Sequence, residues 1–347
     1  MPHSLVLTPA AAPASGARYD DLKLTPTAVP QPSQNHSVIR LHAAALNHRD
    51  VFIRQGLYPR IIYNSVLGSD GAGVDVATGK RVLLNPSVNW ATDPDAPEDP
   101  ARYGMLGLLP FPGTFAEYIS VPTRLVHSIP AHLSFIEAAA LPLAGLTAWR
   151  ATMSKGRVEK GHRVLVSGIG GGVALFALQF AAAAGAHVYV TSSDPAKIAK
   201  AIALGAAGGV NYKDADWVKR LSALMGGHAL DTVIDGAGGA SIAGYLKLLR
   251  VGGRLVSYGA TSSSTASVLL PSVFLKHISL LGTSMGNETE FAQMIAFVEQ
   301  HRIRPVVSTV CDGLDKAETV FEEMRKGSQF GKQVIRIRPD EEEGPKL

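Results

Sequence analysis

The sequence predicts an α/β protein: a doubly wound, six-stranded parallel sheet preceded by a β-rich, barrel-like domain. Three observations predict it. The apolar run Val164-Leu165-Val166 leads through Ser167-Gly168-Ile169-Gly170-Gly171-Gly172-Val173 into the helix-forming stretch Ala174 to Ala181. Apolar strands then recur near 163–167, 187–191, 209–212, 231–235, 254–258 and 278–283, with helical stretches between most of them. Residues 1 to about 127 instead show short alternating runs punctuated by Pro and Gly.

In chain order, Val38 to Ala43 alternates, and Ser65 to Gly68 and Arg81 to Leu84 are short apolar runs read as strands. Asp93 to Pro100 carries three prolines among four acids, which predicts an exposed loop. Gly113 to Val121 alternates again. From Ser134 the texture changes: Phe135 to Ala140 reads as helix, and Leu143 to Met153 as a second one. Asp194-Pro195 starts the helix after the second sheet strand, with Asp194 as N-cap and Pro195 at the first helical position. Glu290 to His301 is a further helix, and the chain ends on short strands through Lys332-Gln333-Val334-Ile335-Arg336.

Composition narrows the function. Of 347 residues 18% are charged and 46% hydrophobic, the balance of a compact chain without long disordered regions. The formal charge of +4 is scattered, so no nucleic-acid surface is expected. One cysteine, Cys311, leaves no internal disulfide and no multi-cysteine metal site. The eleven histidines show no HxxxH or HExxH spacing, and His36, His42 and His48 share no helix face. Val164 to Ser193 lacks charged residues, but its Ser and Gly content and His187 argue against a membrane span. The N-terminus carries no targeting pattern, so a cytoplasmic protein is expected.

The strand, glycine turn and helix at 164–181 predict a dinucleotide site. That order sets free backbone N–H groups of Gly172 and Val173 at a helix N-terminus, and glycines at 168, 170 and 171 allow a pyrophosphate close approach. The second strand, His187 to Thr191, ends in Ser192-Ser193 with Lys197 behind it, where an NAD site would carry an acid. Two hydroxyls and an ammonium suit the 2′-phosphate of NADPH. Tyr212, closing the third strand, is read either as a contact to that phosphate or as a packed strand-end residue.

Several segments together resemble the medium-chain dehydrogenase/reductase superfamily, on its zinc-free quinone oxidoreductase branch. They are Ala45-Leu46-Asn47-His48-Arg49-Asp50, Leu67-Gly68-Ser69-Asp70-Gly71-Ala72-Gly73, Gly113 to Tyr118, Ala144 to Trp149, Gly168 to Ala174, Leu249 to Val256 and Phe330-Gly331-Lys332-Gln333-Val334. The resemblance implies a GroES-like β-barrel catalytic domain over 1–127, to which 302–347 return, and a Rossmann dinucleotide-binding domain over 128–301. In zinc-dependent members Cys, His and Cys hold a catalytic metal. Here Asn47 stands in the first cysteine's place, Ser69-Asp70 in that of His-Glu, and the loop 85–112 has no cysteine, so no metal is expected.

The resemblance further implies that Thr147 approaches the nicotinamide, that Gly259 faces its carboxamide, and that Gly331 and Lys332 return over the cofactor. Hydride delivered without a metal requires an acceptor that carries its own electron sink. The expected reaction is therefore reduction of an enone or a quinone, with Asn47 and Tyr58 as polar groups toward it. The Tyr58 phenol is read as a carbonyl-polarising or proton-supplying group, or equally as an amphipathic loop residue. Asp50 is expected to orient backbone or Arg49 rather than act as an acid. Two other readings stay open: an accessory enoyl reductase of a biosynthetic pathway, and an NADPH-binding sensor or structural protein with little turnover. In relatives the last sheet strand, here Ser279-Leu280-Leu281-Gly282, pairs with its copy, which implies a homodimer.

Overall fold

The computed structural model describes residues 1–10, 18–59, 61–108 and 110–339. The chain divides into two compact units, Met1–Leu143 with Asn287–Leu347, and Ala144–Gly286.

The second unit holds the doubly wound sheet. Its six strands are Arg163–Val166, His187–Ser192, Gly208–Asn211, Leu230–Asp235, Leu249–Ser257 and Ser279–Gly282. Numbered in chain order they lie side by side as 3-2-1-4-5-6, and every pairing is parallel. Val164, Leu165, Val166, Val233 and Ile234 are fully buried, as expected for a sheet covered on both faces. The order reverses between the first and fourth strands, and the carboxyl ends at such a point are where ligands bind.

The first unit is built on a seven-stranded sheet. Val307–Asp312, Lys332–Arg336, His36–Ala45, Asp70–Asp75, Arg81–Leu84 and Val126–Ser128 lie in that order, and Tyr118–Pro122 pairs with the outer half of His36–Ala45. Leu5, Leu46, Phe115, Phe321 and Ile335 pack into one core cluster, and Ile39, Leu41, Val82, Leu84 and Ile119 into another. His42 is buried and stacked on Phe135 with centroids 4.3 Å apart, so it is a packing residue.

Four expectations move. The unit boundaries shift from 127 and 302 to 143 and 287, because the flanking segments pack inward on the first unit. Helix Phe135–Ala139 lies against strands His36–Ala45 and Asp70–Asp75, Arg304 pairs with Glu137, and the ring of fully buried Phe291 meets His127. The run Ser65 to Gly68 makes only a single bridge, Val66 to Val6, rather than a strand. Within Gly113 to Val121 regular pairing begins only at Tyr118. The helix read over Leu143 to Met153 is Pro142–Trp149, continued by a wider π turn over Arg150–Lys155. The loop from Asp93 to Pro100 is exposed as expected, with Glu98 accepting backbone N–H bonds from Ala91, Thr92 and Asp93.

Candidate functional site

The glycine turn opens where strand Arg163–Val166 ends. Ser167 Oγ donates to buried Asp235 Oδ1 at 2.5 Å, and Gly168 N and Ile169 N donate to Thr191 Oγ1 and O at 3.2 and 2.9 Å. The turn is thus tied to the ends of the second and fourth strands. Gly168 and Gly170 have φ of +59° and +135°, which side-chain-bearing residues rarely adopt. Gly171 is the N-cap of helix Gly172–Ala183, has an ordinary φ of −76°, and puts no side chain on the first-turn N–H groups. A Cβ at Gly168 or Gly171 would meet no protein atom within 4 Å. The fold itself therefore leaves room for a side chain at Gly171. A glycine there keeps open the space beside uncapped N–H donors, which is what a dinucleotide pyrophosphate requires.

At the end of the second strand, buried Ser192 accepts the Asp194 N–H at 3.1 Å, and Ser193 is exposed. Asp194 caps helix Pro195–Ala203 by accepting the Ala196 N–H at 2.8 Å. Lys197 is half-buried on the first turn of that helix, its ammonium without an ion pair among the described residues, and Tyr212 is exposed. Asp194 is thus committed to its helix. Thr147 is buried, its hydroxyl 3.9 Å from Met285 Sδ. At Gly259 a Cβ would come 3.1 Å from Gly236 O, so the glycine lets two turns pack.

In the first unit the predicted residues meet in a buried polar cluster. Asn47 lies two residues beyond strand His36–Ala45 as the N-cap of helix His48–Arg54, with its backbone N–H donating to Asp50 Oδ2 at 2.9 Å. Asp50 does orient backbone. Its carboxyl is fully buried and pushed up to about 6, chiefly by desolvation, with Arg49 and the Asn47 N–H pulling the other way. Asn47 Nδ2 donates to Asp70 Oδ2 at 2.9 Å. Lys332 Nζ donates to Leu46 O, Asn47 Oδ1 and Asp70 Oδ2 at 2.5, 2.7 and 2.9 Å.

Two residues expected over the cofactor therefore have inward roles. All three Lys332 N–H donors are engaged inside the first unit. Gly331 is buried with φ +127°, and a Cβ there would come 2.6 Å from Val306 O, so its glycine serves strand packing. Beside this cluster Arg49 Nη1 donates to Ser69 Oγ and to Leu106 O, and Ser69 Oγ donates to Leu106 O at 2.8 Å. The Tyr58 ring lies over the Arg49 guanidinium at 5.3 Å, and its hydroxyl has no hydrogen-bond partner among the described residues. The sequence reading missed two partners, Asp70 for Lys332 and Asp235 for Ser167. The dipeptides Ser69-Asp70 and Gly331-Lys332 were visible, but nothing in spacing joins them.

Comparison with known proteins places this geometry. Residues 33–131 match the alcohol dehydrogenase GroES-like domain, and residues 172–300 the zinc-binding dehydrogenase family. A zinc-type alcohol dehydrogenase-like protein, YogA, of Leptosphaeria maculans is 42% identical across 97% of this chain and its own full length. The chain belongs to the medium-chain dehydrogenase/reductase superfamily. A probable quinone oxidoreductase of Schizosaccharomyces pombe is 32% identical over 70% of this chain and 68% of its own. A crystal structure described as an NAD-dependent alcohol dehydrogenase superposes with a TM-score of 0.84 at 32% identity, over 97% of this chain and all of that one. As a member of this superfamily the protein is an oxidoreductase, and its homologues bind a nicotinamide cofactor. Among the described residues no helix is long and apolar enough to cross a membrane.

Proposed function

We propose that this member of the superfamily is an NADPH-dependent, zinc-independent reductase acting on an activated C=C bond, as in an enone, or on a quinone. The observation that carries the reading is the donor set at Asn47, Ser69 and Asp70. The Asn47 and Asp70 oxygens hold the Lys332 ammonium, and the Ser69 hydroxyl is bonded to Arg49 and Leu106. A zinc site needs thiolate, imidazole or carboxylate groups directed at one point. An amide, a hydroxyl and a carboxylate already paired with a cation do not fit zinc, so the acceptor must hold developing negative charge itself.

Bound NADPH supplies hydride. The backbone of Gly168, Gly170, Gly171, Gly172 and Val173 holds the pyrophosphate, and Thr147 and Gly259 border the nicotinamide. Ser192, Ser193, Lys197 and Tyr212 receive the 2′-phosphate. One relative's description names NAD, but here Asp194 caps its helix, and a hydroxyl pair with a lysine favours a phosphate. On the acceptor side Asn47 offers an amide N–H, and Tyr58 a phenol able to polarise a carbonyl or supply a proton. The protein works as a cytoplasmic homodimer in this reading.

The test is NADPH oxidation by purified protein with an aromatic enone and an ortho-quinone offered separately, NADH as the paired control and a zinc chelator added. Turnover with NADPH, little with NADH and no chelator effect is expected. NADPH binding without reduction of either acceptor would favour a sensor, and chelator-sensitive alcohol oxidation would overturn the metal-free reading.

A further inference from the structure

An ammonium group has three N–H donors and no acceptor. Lys332 places all three on oxygens while only 4% of the residue is exposed. Asp70, fully buried, is filled in turn: Oδ2 accepts from Lys332 and Asn47, and Oδ1 accepts the Leu143 N–H at 2.8 Å. These partners decide which way the Asn47 amide points. Its oxygen must face the ammonium, which only donates, and its nitrogen must face the carboxylate, which only accepts. A flipped amide would set N–H against N–H and oxygen against oxygen. The Asn47 backbone is pinned as well, through Asp50. What remains is a single amide N–H, without a partner among the described residues.

The same oxygens could not also hold a divalent ion. A metal on Asn47 Oδ1 and Asp70 Oδ2 would sit within a few ångströms of the Lys332 charge, in surroundings where like charges repel strongly. The cluster already contains its cation.

We propose that Lys332 is the resident cation of this cluster and a positioning residue for Asn47: it takes the place of a metal between Asn47 and Asp70 and locks the amide with one N–H free for the acceptor oxygen. The last clause rests on the reductase reading; the assignment of the cation does not.

Two experiments test it. The first needs no acceptor: the intact protein is dialysed against micromolar zinc and its metal content measured, with Asp70→Asn beside it. No zinc attributable to the cluster is expected, so the two should match. A stoichiometric zinc lost in Asp70→Asn would overturn the assignment. The second is a double-mutant cycle of Lys332→Gln and Asn47→Ala. Each should lower kcat at least about tenfold with the KM for NADPH little changed, since a misplaced group costs about that much or more. Because Lys332 acts through Asn47, the double variant should be no worse than the poorer single one. Multiplying losses would overturn the positioning role. Should Lys332→Gln fail to fold, Asp70→Asn with Lys332→Gln removes both charges and enters the same cycle; full activity there would sink the proposal. If the wild type reduces neither acceptor, the reductase reading falls while the zinc comparison still judges the cation.

Discussion

Asp50 holds the Asn47 backbone N–H on Oδ2 at 2.9 Å, while its Oδ1, equally buried, has no hydrogen-bond partner among the described residues. Half the carboxylate is therefore desolvated without compensation, which is why the group is pushed up to about 6 from an ordinary 3.8. The folded chain binds this proton more tightly than the unfolded chain does. The stability it contributes is present below about pH 4 and is lost as pH rises through about 6. The difference amounts to roughly 3 kcal/mol at neutral pH. Asp50→Asn removes the titration and keeps an oxygen for Asn47. Urea denaturation should show the variant gaining on wild type by roughly 2–3 kcal/mol between pH 4 and 7. A constant difference across that range would refute the account.

Gly171 separates fold from ligand. Its φ is ordinary and its missing Cβ leaves a space no protein atom fills, so Gly171→Ala should keep the melting temperature within a few degrees or raise it slightly. The methyl would stand beside the uncapped N–H groups of the helix start. NADPH affinity should fall at least about tenfold, the loss of roughly one charge-assisted hydrogen bond. Fluorescence titration with NADPH, run beside calorimetry, checks both halves; unchanged affinity would remove Gly171 from the site.

Lys197 and Ser193 should set the cofactor preference. A hydrogen bond to a charged group contributes about 1.5–3 kcal/mol, so Lys197→Ala should raise the KM for NADPH roughly ten- to a hundredfold and leave that for NADH nearly unchanged. Ser193→Asp should go further, because it places a carboxylate where the phosphate would lie. Equal effects on the two cofactors would mean that Lys197 does not meet the 2′-phosphate.

The parts legible in the sequence are those written in local order. Six apolar runs gave six strands, Asp194-Pro195 marked its helix start, and the glycines at 168, 170, 171 and 172 marked the turn from the first strand into its helix. What escaped is carried by contacts between distant residues. Lys332 and Asp70 are 262 positions apart, and Ser167 and Asp235 are 68 apart, so no periodicity relates them. The π turn at Arg150–Lys155 differs from an α-helix only in which carbonyl each N–H chooses, and the sequence keeps the same apolar texture through it. The unit boundary was misplaced for a similar reason. Glu288–Gln300 reads as one more helix of the alternating series, and only its packing assigns it to the first unit.

Glu98 shapes the exposed loop from Ala91 to Pro100. Its carboxylate accepts the N–H groups of Thr92 and Asp93 at 2.7 and 3.0 Å and of Ala91 at 3.0 Å, and these bonds bring it down to about 2. With the folded value depressed, the contribution is complete above the ordinary 4.5 and is lost as pH falls from there toward about 2. Glu98→Gln keeps one acceptor oxygen but loses the charge. At pH 7 limited proteolysis should cut the variant faster than wild type between residues 91 and 100, and the two rates should converge at low pH with an acid-stable protease. Equal rates at pH 7 would show that the loop is held by Trp90 and Asn287, whose side chains both donate to Asp93 O.

The outer edge of the nucleotide sheet makes the homodimer testable. Among the described residues Ser279–Gly282 pairs only with the strand before it, and no strand among them covers its other side. Leu280 on that strand is 43% exposed, and Leu275 and Phe274, just before it in the chain, are 70% and 61% exposed. An apolar open edge invites pairing with another strand, and a second copy of the same strand satisfies both the hydrogen bonds and the burial. Sedimentation velocity at micromolar concentration should give twice the chain mass. Leu280→Lys, which sets like charges against each other across a two-fold axis, should shift the protein to monomer while its far-ultraviolet circular dichroism stays the same. A wild type that sediments as a monomer would leave this edge without its proposed partner.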